Sequence, residues 1–105
     1  MTHVSINNHD WTVAYDDPVV PVLPHNVLGR TCFDTLQIIM KRDLSEQALR
    51  LSLLHELAHA FLFSQGRVYQ ERFTQEDLCE FVAWNGPEIV GVAETITKEL
   101  KEDQQ

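Results

Sequence analysis

The stretch that decides the fold is residues 51 to 63, which read LSLLHELAHAFLF. Apolar residues lie on nearly every side of the helix that this stretch predicts, so we expect the helix to be buried. Its ionisable side chains are His55, Glu56 and His59. At about 100° per residue, the two histidines lie about 40° apart and Glu56 lies about 100° from His55. All three side chains are therefore expected to face one cavity.

The spacing of these three side chains is typical of a zinc site. Imidazole nitrogens at positions i and i+4 of a helix can reach a common tetrahedral ion at about 2.0 to 2.1 Å. Buried imidazoles are costly without partners, and one metal ion provides a partner for both. The sequence therefore predicts Zn²⁺ bound by His55 and His59, with Glu56 as the catalytic base. The alternative is that two core histidines only form hydrogen bonds.

Upstream of the helix, the sequence predicts β structure. Residues 2 to 15 fit two short strands joined by a turn at Asn7-Asn8, and residues 30 to 41 fit one further strand. The proline-rich residues 16 to 29 fit an irregular connector.

The ends of the helices are marked by capping residues. Ser45 fits the N-cap of the HELAH helix and Gly66 fits its end. Thr74 and Asp77 form a capping box at the start of a second helix, which should end before Pro87 begins a third. The predicted fold class is α+β, with a short antiparallel sheet of about three strands packed on the HELAH helix and C-terminal helices completing the core.

Length and charge exclude several classes of protein. The 105 residues suit one core but not two, so residues 1 to 105 are expected to form a single domain. Sixteen acidic and eight basic side chains give a net charge of −8, which opposes binding to nucleic acid or to an anionic membrane. An export signal and a long apolar run are both lacking, so a cytoplasmic location is expected. The sequence does not predict the oligomeric state.

A catalytic zinc site needs a third protein ligand and an open position for water. The candidates are acidic residues that follow the helix and one upstream histidine: Glu71, Glu76, Asp77, Glu80 and His25. Tyr15 and Tyr69 are candidates to donate a hydrogen bond to an oxyanion.

The motif HELAHAFLF at residues 55 to 63, followed by EDLCEFVA at residues 76 to 83, resembles the short phage-type members of the ImmA/IrrE family of zinc metallopeptidases. The resemblance covers roughly residues 29 to 90 and implies a zincin-like domain. It implies Glu76 as the third ligand, with Glu80 as a partner of a ligand histidine or as the alternative ligand. It also implies that residues 33 to 40 are an edge strand that pairs with an extended substrate.

The motif and the resemblance together predict a zinc metallopeptidase, most simply an endopeptidase, that cleaves a protein or peptide. Family members act on phage or prophage transcriptional repressors, so a repressor is the expected partner. The alternative is a catalytically weak or inactive binding module that zinc stabilises and that acts as an antirepressor. A further alternative is a metal-free protein that acts only by contact with a regulator.

Overall fold

The computed structural model describes residues 1–67 and 72–103, which form a mixed sheet and two helices. In chain order, the elements are β1 (Thr2–Ile6), β2 (His9–Tyr15), β3 (Gly29–Cys32), β4 (Gln37–Met40), α1 (Glu46–Ser64) and α2 (Gln75–Asp103). The fold class is α+β, as predicted. The prediction of a single strand over residues 30 to 41 is wrong, because this segment forms the hairpin of β3 and β4.

The hairpin of β1 and β2 turns where the sequence predicts. Asn7 and Asn8 have φ values of 48° and 68°, and the flanking residues Ile6 and His9 are paired. Two central residues with positive φ match the right-handed twist of the strands, and asparagine tolerates this conformation better than most residues. The predicted hairpin is therefore confirmed.

The strands lie in the order β1-β2-β4-β3. β1 pairs with β2 and β3 pairs with β4 in antiparallel fashion, whereas β2 and β4 are parallel. The prediction of an antiparallel sheet of about three strands is therefore wrong. Parallel neighbours need a long crossover, which residues 16 to 36 supply between β2 and β4. β3 forms within that crossover and becomes one edge of the sheet, opposite β1.

This strand order also corrects the predicted edge. Residues 33 to 40 were expected to form the edge strand beside the helix, but β4 is hydrogen-bonded to β2 on one side and to β3 on the other. The edge strand on this side of the sheet is β3, which pairs only with β4 among the described residues, while β1 is the opposite edge. An extended ligand at this side of the sheet would therefore meet Gly29–Cys32.

One face of the sheet packs on the helices to form the core. Trp11, Val13, Ile38 and Met40 of the central strands are fully buried on that face. The helices contribute Leu49, Leu53, Leu57, Ala60, Phe61, Ile89, Ala93, Ile96 and Leu100. In the described residues, no helix combines the length and the apolar character needed to cross a membrane.

α1 begins and ends at the predicted residues. The Ser45 hydroxyl oxygen accepts a hydrogen bond from the Ala48 N–H at 3.1 Å, which identifies Ser45 as the N-cap. Beyond the helix, Gly66 has a φ of 73°. The Arg67 N–H then donates back to the Leu62 carbonyl oxygen at 2.8 Å, which completes a Schellman motif.

Gly66→Ala is expected to lower the free energy of unfolding by about 1 kcal/mol, because an L-residue is strained at this φ. A Cβ at Gly66 would have nothing within 4 Å, so the cost is conformational and not steric. Gly91 is the matched control, since its Cβ also meets nothing but the residue lies inside α2. Gly91→Ala should stabilise the protein by about 0.5 to 1 kcal/mol. Urea unfolding of both variants measures these two changes in the free energy of unfolding. Changes in the same direction would contradict the role of Gly66 at the end of α1.

The capping box at the start of α2 is confirmed. The Asp77 N–H donates to Thr74 Oγ1 at 3.0 Å, and the Thr74 N–H donates to Asp77 Oδ2 at 3.0 Å. The hydrogen bond from the Thr74 backbone is the main reason that the pKa of Asp77 lies below its ordinary value.

α2 continues through Pro87, so the predicted break into two helices is wrong. Gly86 precedes the proline and lacks the Cβ that would clash with the proline ring. The buried side chains Asn85, Ile89 and Ala93 follow one another at intervals of four residues across the proline. Burial of this continuous stripe stabilises the helix against the loss of one backbone hydrogen bond.

Candidate metal and catalytic site

The two histidines of the motif lie on the solvent side of α1. His55 and His59 are exposed, whereas Glu56 is 8% exposed and therefore buried. The expectation that all three are buried together is wrong for the histidines. The buried residues of α1 lie on its other faces, and even Leu51, four residues before His55, is 61% exposed. The sheet and α2 thus cover only part of the apolar surface of α1.

The imidazoles of His55 and His59 converge on one point. Their Nε2 atoms are 3.3 Å apart, and their ring centroids are 4.9 Å apart. Two nitrogens that each lie about 2.0 to 2.1 Å from a tetrahedral zinc ion are about 3.3 to 3.4 Å from each other. The spacing of the donor pair therefore fits zinc. It also fits a hydrogen bond in which one imidazole donates and the other accepts, so a metal measurement has to separate the two.

The Glu56 carboxylate accepts a hydrogen bond from Thr31 of the edge strand β3. The Thr31 hydroxyl lies 2.8 Å from Glu56 Oε1 and 3.1 Å from the Glu56 carbonyl oxygen. A hydroxyl carries one hydrogen, and the shorter contact is the one to the carboxylate. A buried carboxylate needs such a donor, because desolvation without a hydrogen bond is costly. Thr31 therefore supplies part of the environment that allows Glu56 to be buried beside the histidines.

Gly29 allows β3 to approach α1 closely. A Cβ at this position would lie 3.1 Å from Glu56 Cγ and 3.1 Å from Met40 Sδ. Both distances are shorter than ordinary van der Waals contacts, so a side chain here would displace its neighbours. The absence of a side chain at Gly29 thus lets the edge strand pass directly over Glu56.

His55, Glu56 and His59 line a depression between β3 and α1. Its volume is about 460 Å³, which lies within the roughly 300 to 1,000 Å³ of ligand-binding clefts. The lining residues are Gly29, Arg30, Thr31, Phe33, His55, Glu56 and His59. A ligand in this depression would contact the edge strand, both imidazoles and the carboxylate together.

The structure does not bring Glu76 or Glu80 to the histidines. Both are exposed residues near the start of α2, and α2 runs antiparallel to α1. Three polar contacts set the register of the helices: Gln65 with Asn85, Arg50 with Glu94, and Glu46 with Lys101. The start of α2 therefore extends past the end of α1. At 1.5 Å per residue, the three contacts place Glu76 about 14 to 23 Å from His59 along the helix axes and Glu80 about 8 to 17 Å, depending on which contact is the reference.

The other candidate ligands are also placed elsewhere or are not described. Asp77 is engaged in the capping box, and His25 lies in the connector, where its carbonyl oxygen accepts from Lys41 Nζ at 2.8 Å. Glu71 and Tyr69 lie outside the described residues. Within residues 1–67 and 72–103, no group of three or more His, Cys, Asp or Glu side chains is placed to hold a metal ion. The identity of a third ligand stays a prediction.

Gly29 and Thr31 are the residues at the site that the sequence did not indicate. The sequence predicts Gly29 at the end of the irregular connector and Thr31 near the beginning of a single strand. Each faces α1 because Thr31 pairs with Ile38 and Gly29 pairs with Met40, which both point into the core. Only the register of β3 on β4 would have identified them.

The fold and the site together define a small α+β protein in which an edge strand crosses an HExxH helix at its glutamate. Comparisons of the chain with protein-family models, with curated proteins and with solved structures found no match. The resemblance to the ImmA/IrrE family therefore rests on the sequence motifs alone.

Proposed function

We propose that this chain is a zinc-dependent peptidase, with His55 and His59 as zinc ligands and Glu56 as the catalytic base. The observation that carries the proposal is the 3.3 Å separation of the two Nε2 atoms, which is the separation that a shared zinc ion requires. Glu56 follows His55 directly and lines the same depression as both imidazoles. This is the placement that a base needs beside a metal.

The proposed chemistry is hydrolysis of a peptide bond. Zinc, when bound, would polarise the scissile carbonyl and lower the pKa of the attacking water. The Glu56 carboxylate accepts a proton from that water and then donates it to the leaving amine. Burial of Glu56 excludes bulk water from one side of the carboxylate, and the depression leaves the other side open to a substrate.

The proposed substrate is a protein or peptide in extended conformation. Among residues 1–67 and 72–103, no strand pairs with the outer edge of β3, and this edge runs along the depression, so a peptide strand can pair with Gly29–Cys32 and lie over Glu56. A transcriptional repressor of a phage or prophage is the partner that the family resemblance implies. The net charge of −8 argues that the chain meets such a regulator as a protein and not through DNA.

The third ligand remains part of the proposal. Glu76 is the ligand that the resemblance implies, and Glu80 is the alternative. Either would have to cross its offset from the histidines along the helix axes, at least about 14 Å for Glu76 and about 8 Å for Glu80, which requires a shift of α2 along α1. Glu71 precedes α2 in the chain and belongs in the same test.

Metal content tests the proposal directly. We expect about one zinc ion per chain in the purified protein after incubation with zinc and dialysis, measured by elemental analysis. His55→Ala and His59→Ala should each lose the metal, because one imidazole cannot hold it without its neighbour. His25→Ala is the matched control and should bind zinc normally, since His25 lies away from the site. The ligand that completes the site is the one among Glu71, Glu76 and Glu80 whose alanine variant also loses zinc.

Two results would contradict the proposal. A well-folded wild type that binds no zinc would mean that the 3.3 Å contact is a hydrogen bond between the two imidazoles. Zinc that is bound at four protein atoms, without an open position, would indicate the metal-stabilised binding module in place of the enzyme. Spectroscopy of the cobalt-substituted protein distinguishes an open site from a closed one.

A further inference from the structure

The Thr31 hydroxyl has no role in the proposed reaction, although it contacts the proposed base. It belongs to the edge strand, 25 residues from Glu56 in sequence, yet it lies 2.8 Å from Glu56 Oε1. The hydroxyl also lies 3.1 Å from the carbonyl oxygen of the same residue. The hydroxyl donates its one hydrogen over the shorter contact, so the Glu56 carboxylate is held by an atom of β3.

A glutamate side chain has three torsions, so a base on such a side chain loses efficiency unless its carboxylate is held. A donor at Oε1 removes most of that freedom, and it leaves Oε2 as the oxygen that can accept a proton. Gly29 strengthens the restraint, because a Cβ at this position would lie only 3.1 Å from Glu56 Cγ, so the strand backbone packs closely against the glutamate side chain. The two β3 residues that face α1 therefore both act on Glu56.

We propose that Thr31 is a positioning residue that orients Glu56 so that Oε2 takes the proton of the attacking water. The inference rests on the proposed function, because it assigns a role within that reaction. It also links substrate binding to catalysis, since the strand that would pair with an extended peptide is the strand that holds the base.

Thr31→Val and Thr31→Ser test the role of the hydroxyl. Valine keeps the shape and removes the donor, so kcat for an unstructured peptide selected from a synthetic library should fall about 10- to 100-fold. KM and zinc content should stay near the wild-type values, because the peptide and the metal keep their contacts. Serine restores the hydroxyl and should restore most of kcat. Thr35→Val is the matched control, since Thr35 is exposed in the turn between β3 and β4.

A second measurement does not depend on activity. The carboxyl carbon of Glu56 can be assigned by ¹³C NMR as the glutamate signal that is missing in Glu56→Gln. This signal should move in Thr31→Val, return in Thr31→Ser and stay unchanged in Thr35→Val, because a hydrogen bond to a carboxylate changes its shielding.

The outcomes separate the inference from the proposed function. A carboxyl signal that ignores Thr31→Val, or a Thr31→Val variant with wild-type kcat, overturns the positioning role while the peptidase stands. A zinc-loaded wild type that cleaves no peptide in the library overturns both the peptidase and the catalytic role of Thr31. A lowered kcat with a shifted carboxyl signal, both reversed by serine, establishes the role.

Discussion

A Glu56→Gln variant is expected to keep its zinc and to lose peptide turnover by about 10²- to 10⁴-fold. The amide has nearly the shape of the carboxylate, and its oxygen can still accept the Thr31 hydrogen bond that reaches Oε1 at 2.8 Å. The side chain should therefore stay in place. An amide is not basic enough to take a proton from water at neutral pH, so the chemical step alone is lost.

The measurement is zinc content together with turnover of the same library peptide used for the wild type. Glu88→Gln is the matched control, because Glu88 is an exposed glutamate of α2 and the chemical change is identical. It should leave turnover unchanged. Full activity in Glu56→Gln would remove Glu56 from the mechanism, whereas loss of zinc in that variant would mean that Glu56 is a ligand and not a base.

Local signals predicted several parts of the fold correctly. The turn at Asn7-Asn8, the cap at Ser45 and the end of α1 at Gly66 each depend on residues within a few positions of one another. Side-chain capping and positive φ are properties of single residues, so the sequence reveals them without knowledge of the tertiary structure.

The sheet could not be predicted in the same way. Residues 30 to 41 alternate well enough to fit one strand, but the chain turns between Cys32 and Gln37, with Leu36 at a φ of 52°. Leucine is not typical of that conformation, and the turn has no glycine, asparagine or proline, so Asp34 alone is a weak local signal for it. The parallel pairing of β2 with β4 joins residues about 25 positions apart and fixes which strand lies at the edge.

The candidate site also has parts that the local sequence predicts and parts that depend on tertiary structure. His55, Glu56 and His59 lie on one helix, so their spacing alone predicted the convergence of the imidazoles. The predicted burial of the histidines failed because an apolar sequence does not specify how much of a helix its neighbours will cover. Thr31 reaches Glu56 only through strand register, and Glu76 depends on how α2 is placed along α1.

One side of α1, which includes Leu57, packs in the core, and the other side, which includes Leu51, His55 and His59, is exposed. Substitutions on the two sides are expected to have very different effects on the free energy of unfolding. Leu57→Ala should lower the free energy of unfolding by about 2 to 5 kcal/mol, because Leu57 is fully buried and its truncation leaves a cavity. Leu51→Ala makes the same chemical change on the same helix, where the side chain is 61% exposed. It should change the free energy of unfolding by less than about 0.5 kcal/mol.

Chemical denaturation of both variants, with zinc removed by a chelator, measures the difference without a contribution from the metal. Both residues lie in the interior of α1 and have the same helix propensity, so the contrast reports burial alone. Equal losses would mean that another surface covers Leu51 in solution, and the site side of α1 would then be closed to a peptide. Unequal losses of the expected size would leave that side, with His55 and His59 on it, open to metal and substrate.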